Sequence, residues 1–590
     1  MPGLRSHLQD LLLVCTCVAA VGAAVLSWCA AWLSGLLTHT APPHVTLSIA
    51  AAALPHLIAH PLDTTGAYQH AGGRGVGGPL VFWPIMLGLT GGAAYGSTRG
   101  WRLARGWLHH GDDGLADRSE LAAVLGERHA LAMARTLRPG LKGRLQDIQV
   151  NQVAVSCGVA VPYELPLWLP VEESVTVVAP PRSGKTSQLI VPALIDWPGP
   201  ALVTSARSDV LFQTAKIRVD RGHPVHVMDP YDVAGWPSTV RWSLTEGCAD
   251  YGIVQRRTEA LMAATRSEEN TKNGGYFVNN AKIMINCWLH AAGLENLSAR
   301  HVLDWITNPD NRRPIEILST HRKTQMANML GSFYTGDSEE KASSWKTAFQ
   351  PFAALLNPRV ADIFAADPAD SIHLNGWLAS GATIYLIGEE DDQSLLSPLL
   401  AAFGRAAMDT AKHGAARTLS GRLDPPLALI GDELANCMPL PELPQLISLA
   451  GGFNIFVLAS LQNLGQAERR WGPLGARQII SGATAKIILG GISDPKELKL
   501  FSDMIGEYDE PQTALTEDRD RVSLQTSIRR RPVLDMGMIR MIPERSGVVV
   551  HRAAAATRVR FVRAHEGPHA QAIAAAKQWA GHQLRERGAA

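Results

Sequence analysis

Apolar residues divide the chain into an apolar N-terminal region and a longer region where short apolar runs alternate with polar ones. Residues 11–37 contain no charged residue. A helix of that length spans about 40 Å, more than the roughly 30 Å hydrocarbon core of a bilayer. Residues 79–96 are just long enough for a second crossing. The pattern therefore predicts two transmembrane helices in a membrane anchor that covers residues 1–100.

The arginines beside these runs predict their orientation. Arg5 precedes the first run, several arginines follow the second from Arg99 onward, and the connection 38–78 carries only Arg74. The positive-inside rule then places both chain ends in the cytoplasm and the connection outside. Prolines and histidines within 41–60 argue against a third span. The length of the first run favours a retained multi-pass anchor in the cell membrane over a cleaved signal peptide.

After a polar juxtamembrane segment, 101–170, β-rich runs alternate with helical ones. The runs are SVTVVA, PALVTS and PVHVMD, then ATIYLIG, LALIG, FNIFVLAS, ATAKIIL and SGVVVHR. Such alternation predicts an α/β core, 171–246 and 376–590, built on a mostly parallel sheet with both faces covered. Between these parts, apolar residues recur at helical spacing, as in NNAKIMINCWLHAAG. Residues 247–375 are therefore predicted to form an inserted all-α domain.

Composition narrows the function classes only a little. Lys and Arg total 55 against 54 Asp and Glu, a net charge of +1, so a surface for nucleic acid must be local, and the composition argues against a global histone-like role. The seven cysteines form no C-x-x-C pair, and we interpret them as reduced packing residues.

The stretch TVVAPPRSGKTSQLIVPALI, residues 176–195, is typical of a phosphate-binding loop between a strand and a helix. Lys185 supplies a charge for the β and γ phosphates and Thr186 a hydroxyl for Mg²⁺, at a helix N-terminus that favours anions. Ala179 occupies the position of the usual first glycine of this loop. The two prolines that follow it favour an extended backbone there. Since prolines lack an N–H, the phosphate cradle must begin after them. The predicted nucleotide-binding residues are Arg182, Ser183, Gly184, Lys185, Thr186 and Ser187.

A second candidate element is PPLALIGDEL, where an apolar strand ends in two carboxylates. Asp432 suits the water shell of Mg²⁺, and Glu433 suits a catalytic role in polarising the attacking water. The alternative is a helix cap. A third strand, NIFVLASLQ, ends in Gln462, which could reach the γ-phosphate and report its presence, or could be only a polar strand end.

Two further motifs are set aside. HEGPH, residues 565–569, matches a zinc motif in letters, but its Gly-Pro pair breaks the helix that zinc binding would need. IRRRP, residues 528–532, could contact nucleic acid, yet a solvated surface turn is the favoured interpretation.

Several long segments together resemble the type IV secretion coupling proteins of the VirD4/TraG family. They are PPRSGKTSQLIVPALIDWPG, VMDP, WSLTEGC, DELANCMPLPELPQLISLAGGFNIFVLASLQNLGQAERRWG and RRRPVLDMGMIRMIPERSGVVV. With the two spans and the helical insertion, the likeness covers nearly the whole chain.

The resemblance implies an inner-membrane RecA-like P-loop ATPase that forms hexamers, uses ATP and Mg²⁺, and receives relaxase-bound DNA or protein effectors on its inserted domain. It makes Lys185 and Thr186 the Walker A pair, Asp432 and Glu433 the Walker B pair, and Gln462 the sensor-like glutamine.

The sequence departs from the family at two points. Ala179 replaces the first loop glycine, and residues 450–452, Ala-Gly-Gly, stand where many relatives have Arg-Gly. Nearby candidates for an arginine acting across a subunit interface are Arg469, Arg470 and Arg477.

The predicted function is a membrane-anchored ATPase that drives DNA or protein into a secretion channel. Two alternatives remain at this point. One is a double-strand translocase of the FtsK/HerA kind, which the large helical insertion fits less well. The other is a membrane docking receptor that binds nucleotide weakly.

Overall fold

The computed structural model describes residues 3–38, 42–108, 114–265, 274–335, 338–388, 393–518 and 521–589. These residues divide into two compact units, residues 1–110 and 111–590.

The first unit is helical. Its helices are α1 (Gly3–Thr38), α2 (Leu47–Ala59), α3 (Thr64–His70) and α4 (Pro79–Leu108). Among the described residues, one segment, Val21–Thr38, is long and apolar enough to cross a membrane. The second predicted span lies within α4, but the prolines, glycines and tyrosine of that stretch lower its mean hydropathy. The expectation of two transmembrane helices is therefore not confirmed.

Small residues let the helices of this unit pack closely. Ala30 and Ala31 of α1 and Ala50 and Ala53 of α2 are fully buried in one apolar cluster. Tyr68 of α3 closes it, since its hydroxyl donates to the Ser27 carbonyl oxygen (2.9 Å). The apolar stretch 41–60 thus contains a helix of 13 residues, which is too short to span a bilayer.

The second unit is built on a large sheet. Its strands, with those of a separate ribbon, are β1 (Ala154–Val161), β2 (Leu165–Pro170), β3 (Ser174–Val178), β4 (Ala201–Ser205), β5 (Val225–Met228), β6 (Thr383–Ile387), β7 (Leu427–Gly431), β8 (Ile455–Leu461), β9 (Ala485–Leu489), β10 (Glu507–Asp518), β11 (Arg521–Pro532), β12 (Ser546–His551) and β13 (Ala554–Arg560). The sheet has the order β2-β1-β13-β12-β9-β3-β8-β7-β4-β6-β5, and β10 pairs with β11 alone.

Seven strands of this sheet, from β9 to β5, are parallel, and the four from β2 to β12 are antiparallel. Every residue of β3, β4, β6, β7 and β8 is buried, because helices cover both faces. The predicted α/β class is confirmed. Strands β1 and β2 come from the segment that the sequence suggested was juxtamembrane, and they form one edge of the sheet.

The helices of this unit are α5 (Arg118–Leu125), α6 (Glu127–Ala132), α7 (Ala134–Leu137), α8 (Val191–Ile195), α9 (Asp209–Asp220), α10 (Tyr251–Ala264), α11 (Gly274–Leu294), α12 (Ala299–Thr307), α13 (Arg313–Thr320), α14 (Thr324–Thr335), α15 (Ser338–Phe349), α16 (Pro358–Phe364), α17 (Leu374–Ser380), α18 (Gln393–Ala416), α19 (Leu434–Cys437), α20 (Leu443–Leu449), α21 (Leu464–Gly482), α22 (Pro495–Ile505), α23 (Met536–Arg540) and α24 (Ala570–Ala589).

Helices α10 to α17 lie between β5 and β6 in the chain. Their centre contains the rings of Trp288, Tyr334 and Trp345, which meet edge to face with centroids 5.0 to 5.2 Å apart. Aromatic pairs of this geometry add stability beyond the area that they bury. These rings belong to the same buried apolar cluster as strands of the sheet, such as β6 and β7.

The IRRRP segment is exposed, but it is not a turn. It forms the end of strand β11 in the β10–β11 ribbon. Arg530 pairs with Asp509 (3.4 Å) and Arg531 with Glu510 (2.9 Å) on the opposite strand. Ion pairs between the two strands of the ribbon stabilise these arginines in a strand. The sequence of β11 alone does not reveal them, because the carboxylates lie on β10.

Candidate nucleotide-binding site

The loop after β3 has a backbone that does without its usual first glycine. Ala179 is buried, and its N–H donates to the Leu461 carbonyl oxygen of β8 (3.0 Å), so it extends the sheet. The positive φ angles come later, at Arg182 (64°) and Gly184 (88°). Arg182 is a non-glycine residue in the left-handed region, which stores strain of about 1–3 kcal/mol. The loop therefore turns directly after its two prolines, at Arg182 and again at Gly184.

The helix that follows begins with a π-helical turn, Thr186–Ile190, and continues as α8. Lys185 stands immediately before it and is buried. The Ser187 hydroxyl donates to the Gly184 carbonyl oxygen (3.2 Å), which ties the loop to the first turn. Single π turns within helices are frequent at functional sites.

The acidic pair lies directly opposite this loop. Asp432 and Glu433 follow β7, which is next to β8, and β8 pairs with β3, so all three strands end at one edge. Lys185 Nζ lies 3.1 Å from Glu433 Oε1 and 3.6 Å from Asp432 Oδ1. The Thr186 hydroxyl donates to Asp432 Oδ2 (2.9 Å). The fold thus brings together a lysine, a hydroxyl and two carboxylates that are about 250 residues apart in sequence.

Glu433 also has an unusual backbone, with φ 65° and ψ 48°. It is the N-cap residue of α19, but its side chain makes no capping hydrogen bond. The glutamate is therefore not the helix cap that was an alternative for this acidic pair, and its carboxylate faces Lys185 instead.

Burial raises the pKa of Asp432, although Lys185 and the hydrogen bond from Thr186 oppose the shift. Glu433 and Asp209 add to the increase because like charges disfavour a second carboxylate. Asp209 begins α9, after β4, whose Thr204 carbonyl oxygen accepts from the Asp432 N–H (2.9 Å). Sequence analysis missed this third carboxylate, although the strand–SARSD pattern carries a signal for it.

Several buried polar atoms around this edge have no hydrogen-bond partner within the described part of the chain. They are Ser183 Oγ, Gln188 Oε1, Thr204 Oγ1 and Ser460 Oγ. Buried polar atoms are nearly always paired, so unpaired ones need a ligand, an ion or water. Oxygen donors of this kind suit Mg²⁺, which keeps several waters when bound. The residues therefore fit a nucleotide with its magnesium.

Gln462 stands at the end of β8, between the loop strand and the acidic strand. Its amide oxygen accepts from Gln466 Nε2 (3.4 Å). The candidate arginines lie on α21, which is interrupted at Gly472 (φ 70°). Arg469 and Arg470 line a groove of about 660 Å³, and Arg477 is exposed beyond the interruption.

Two residues of the HEGPH motif form ion pairs with charged side chains elsewhere in the second unit. His569 Nε2 lies 2.9 Å from Asp196 Oδ2, and Glu566 pairs with Arg545 (2.9 Å). Both contacts are with other parts of the second unit, at some distance along the chain.

Two family models match the sequence. Residues 152–238 match the model of type IV secretory system conjugative DNA transfer, and residues 426–544 match that of the TraM recognition site of TraD and TraG. The first contains the loop, and the second contains the acidic pair and Gln462. Comparison with the sequences of characterised proteins gave no match.

Among solved structures, the chain is similar to the bacterial conjugative coupling protein TrwBdeltaN70 in its unbound monoclinic form. The identity is 17%, the TM-score is 0.53, and the match covers 75% of this chain and 94% of that one. A trigonal form in complex with sulphate gives 18% identity and a TM-score of 0.51, over 74% and 93%. TrwB in complex with ADP and Mg²⁺ gives 18% identity and a TM-score of 0.50, over 69% and 88%. At these identities the likeness establishes the fold alone.

Proposed function

We propose that this chain, as a coupling protein of the VirD4/TraG type, is an ATPase that recruits DNA, protein or both and drives it into a type IV secretion channel. One observation carries the proposal: Lys185 Nζ lies 3.1 Å from the Glu433 carboxylate at the edge where β3, β7 and β8 end. A phosphate-binding lysine beside two carboxylates is the arrangement that phosphoryl transfer to water requires.

Each residue of the site has a role in this proposal. Backbone N–H groups from Arg182 to Ser187 and the Lys185 ammonium bind the phosphates of ATP. Thr186 and Asp432 would hold Mg²⁺, which when bound neutralises phosphate charge. Glu433 orients a water toward the γ-phosphate and accepts its proton.

Motion of the protein follows from the same residues. In the form described, Lys185 is held by Glu433 and Asp432, and bound phosphate would compete for it. Gln462, at the end of the strand between them, would exchange its contact with Gln466 for one that depends on the γ-phosphate. These changes would move the RecA-like core with each turnover.

We further propose a division into an anchor, 1–100, a juxtamembrane segment, 101–170, a RecA-like core, 171–246 and 376–590, and an inserted all-α domain, 247–375. The anchor would cross the inner membrane twice, with α4 as the second span and the ATPase in the cytoplasm. Subunits would form a homo-hexamer, with an arginine from 469, 470 or 477 reaching the neighbouring nucleotide. The inserted domain would receive relaxase-bound single strands or effectors.

ATP hydrolysis by the full-length protein in detergent, with single-stranded, double-stranded or no DNA, tests the proposal. We expect Mg²⁺-dependent hydrolysis that single-stranded DNA or an effector increases. Stimulation by double-stranded DNA alone would favour the FtsK/HerA-type translocase. Nucleotide binding with no hydrolysis under any condition would favour the docking receptor.

A further inference from the structure

The C-terminal segment, residues 561–589, lies against the helix that follows the phosphate-binding loop. Ala564, Ile573 and Ala576 from this segment form a buried cluster with α8 and α9. Helix α24 packs along α9, whose neighbours in turn include α8. The C-terminal segment therefore packs against α8, the helix that follows the phosphate-binding loop.

A backbone hydrogen bond joins the C-terminal segment to the π turn that precedes α8. In the π turn, the Val191 N–H donates to the Thr186 carbonyl oxygen. The next donor along the helix for the Ser187 carbonyl would be residue 192, which is a proline and has no N–H. The Ser187 carbonyl instead accepts from the Ala564 N–H (2.7 Å). A carbonyl that the sequence leaves without a helical donor is thus satisfied by the C-terminal segment.

A side-chain contact joins the C-terminal segment to the C-terminal end of α8. His569 Nε2 lies 2.9 Å from Asp196 Oδ2, and Arg221 lies 3.1 Å from Asp196 Oδ1. Burial would raise the pKa of Asp196, but the hydrogen bonds and charges of His569 and Arg221 outweigh it and lower the pKa. Asp196 is therefore held as a carboxylate, directly after α8 ends.

The far end of α24 is fixed as well. The ring of Trp579 meets that of Trp236 with centroids 5.3 Å apart, and Arg587 donates to Asp232 (2.8 Å). These contacts fix the far end of α24, while Ile573 and Ala576 in its first two turns pack against α8.

We infer that the C-terminal segment sets the position of the phosphate-binding helix, and that His569 is the positioning residue at the junction. The HEGPH motif then acts as a link between α24 and α8. The inference rests on the proposed function, because it assigns the segment an effect on that same nucleotide site. It acts through Ser187 and Asp196, and not through contact with the nucleotide.

The physical reason lies in the π turn. Phosphate binding depends on N–H groups at the start of a helix that point at one place. A regular helix fixes them by its own hydrogen bonds, but this one has a carbonyl at Ser187 that is satisfied from outside. A hydrogen bond to phosphate weakens when its N–H is displaced or turned away from the acceptor. Loosening the junction should therefore weaken nucleotide binding.

The test compares His569→Ala with His569→Gln in the full-length protein. We expect His569→Ala to raise KM for ATP roughly tenfold and to change kcat less than about twofold, since the groups that bind phosphate are loosened while the reacting groups are untouched. His569→Gln keeps a nitrogen donor for Asp196 and should restore most of the binding. His565→Ala is the matched control, because His565 is exposed and its ion-pair partner is Glu566, at 3.8 Å.

Amide hydrogen exchange without nucleotide gives a second readout, which does not depend on catalysis. Exchange in residues 183–195 should be faster in His569→Ala than in the wild type and the His565→Ala control. Unchanged exchange and unchanged KM would overturn the inference while hydrolysis by the wild type left the proposed function intact. If exchange is faster in His569→Ala but the wild-type protein binds no ATP, the proposed function is overturned. The contact between His569 and Asp196 then has only a structural role.

Discussion

Replacement of Glu433 by glutamine separates nucleotide binding from hydrolysis at this site. Glutamine keeps the size of the side chain but removes its charge and its capacity to accept a proton. In the structure, the carboxylate is partly exposed and lies 3.1 Å from Lys185 Nζ. Because Glu433 adopts φ 65° without a capping role, the substitution should leave the local backbone as it is.

The size of the effect follows from two terms. Loss of a positioned general base costs about 10²- to 10⁴-fold in kcat, or about 3–5 kcal/mol of activation free energy. Two unit charges 3.1 Å apart attract by about 5 kcal/mol at an effective dielectric constant near 20. Desolvation offsets most of that attraction. Freeing Lys185 should therefore tighten ATP binding by about fivefold, or about 1 kcal/mol.

The assay is single-turnover hydrolysis of ATP together with equilibrium binding of a fluorescent ATP analogue. We expect Glu433→Gln to bind at least as tightly as the wild type and to hydrolyse at least about 100-fold more slowly. Glu442→Gln replaces a partly buried glutamate that pairs with Arg405 (3.4 Å), and it serves as a control for neutralising a carboxylate elsewhere. Hydrolysis at the wild-type rate in Glu433→Gln would refute the assigned role.

Three further substitutions test neighbouring features. Gly184→Ala should weaken ATP binding about tenfold and lower the free energy of unfolding by about 1–2 kcal/mol, because alanine would have to adopt a φ of 88°; equal denaturation curves and equal binding would contradict this. Asp432→Asn should abolish hydrolysis yet raise the unfolding temperature at pH 7, since burial raises the pKa of Asp432 and penalises its charged form; the gain should shrink as the pH falls toward about 3, below the ordinary pKa of 3.8, where the carboxyl is protonated in both states. A gain that is the same at both pH values would exclude this cause. Gln462→Ala should leave ATP binding within about twofold and reduce DNA-stimulated hydrolysis about tenfold; full stimulation would remove Gln462 from the proposed sensor role.

Much of the central architecture could be predicted because it depends on local pattern. Buried strands of the core are continuous apolar runs, and polar residues after β3, β7 and β8 end at one edge of a parallel sheet. The proximity of Lys185 to Glu433 then follows from topology. The α/β class has the same origin.

Other features depend on partners that are distant in sequence. The strand pairing of the IRRRP segment needs the acidic residues of β10, and the backbone of Arg182 departs from what its residue type favours. The Ser187 carbonyl is open because of Pro192, but its donor, Ala564, is more than 350 residues away. Hydrophobic periodicity and secondary-structure propensity are local properties and do not predict contacts between residues that are distant in sequence. The second span failed confirmation for a different reason, since α4 mixes apolar residues with glycine and proline.

ATP hydrolysis by the full-length Lys185→Ala variant tests the central claim most directly. Lys216→Ala is the control, because Lys216 is a surface lysine that pairs with Asp220 on the same helix (2.8 Å). The proposed site predicts that Mg²⁺-dependent hydrolysis is lost in Lys185→Ala and kept in Lys216→Ala, with both proteins folded. Hydrolysis by Lys185→Ala at the rate of the wild type would contradict it.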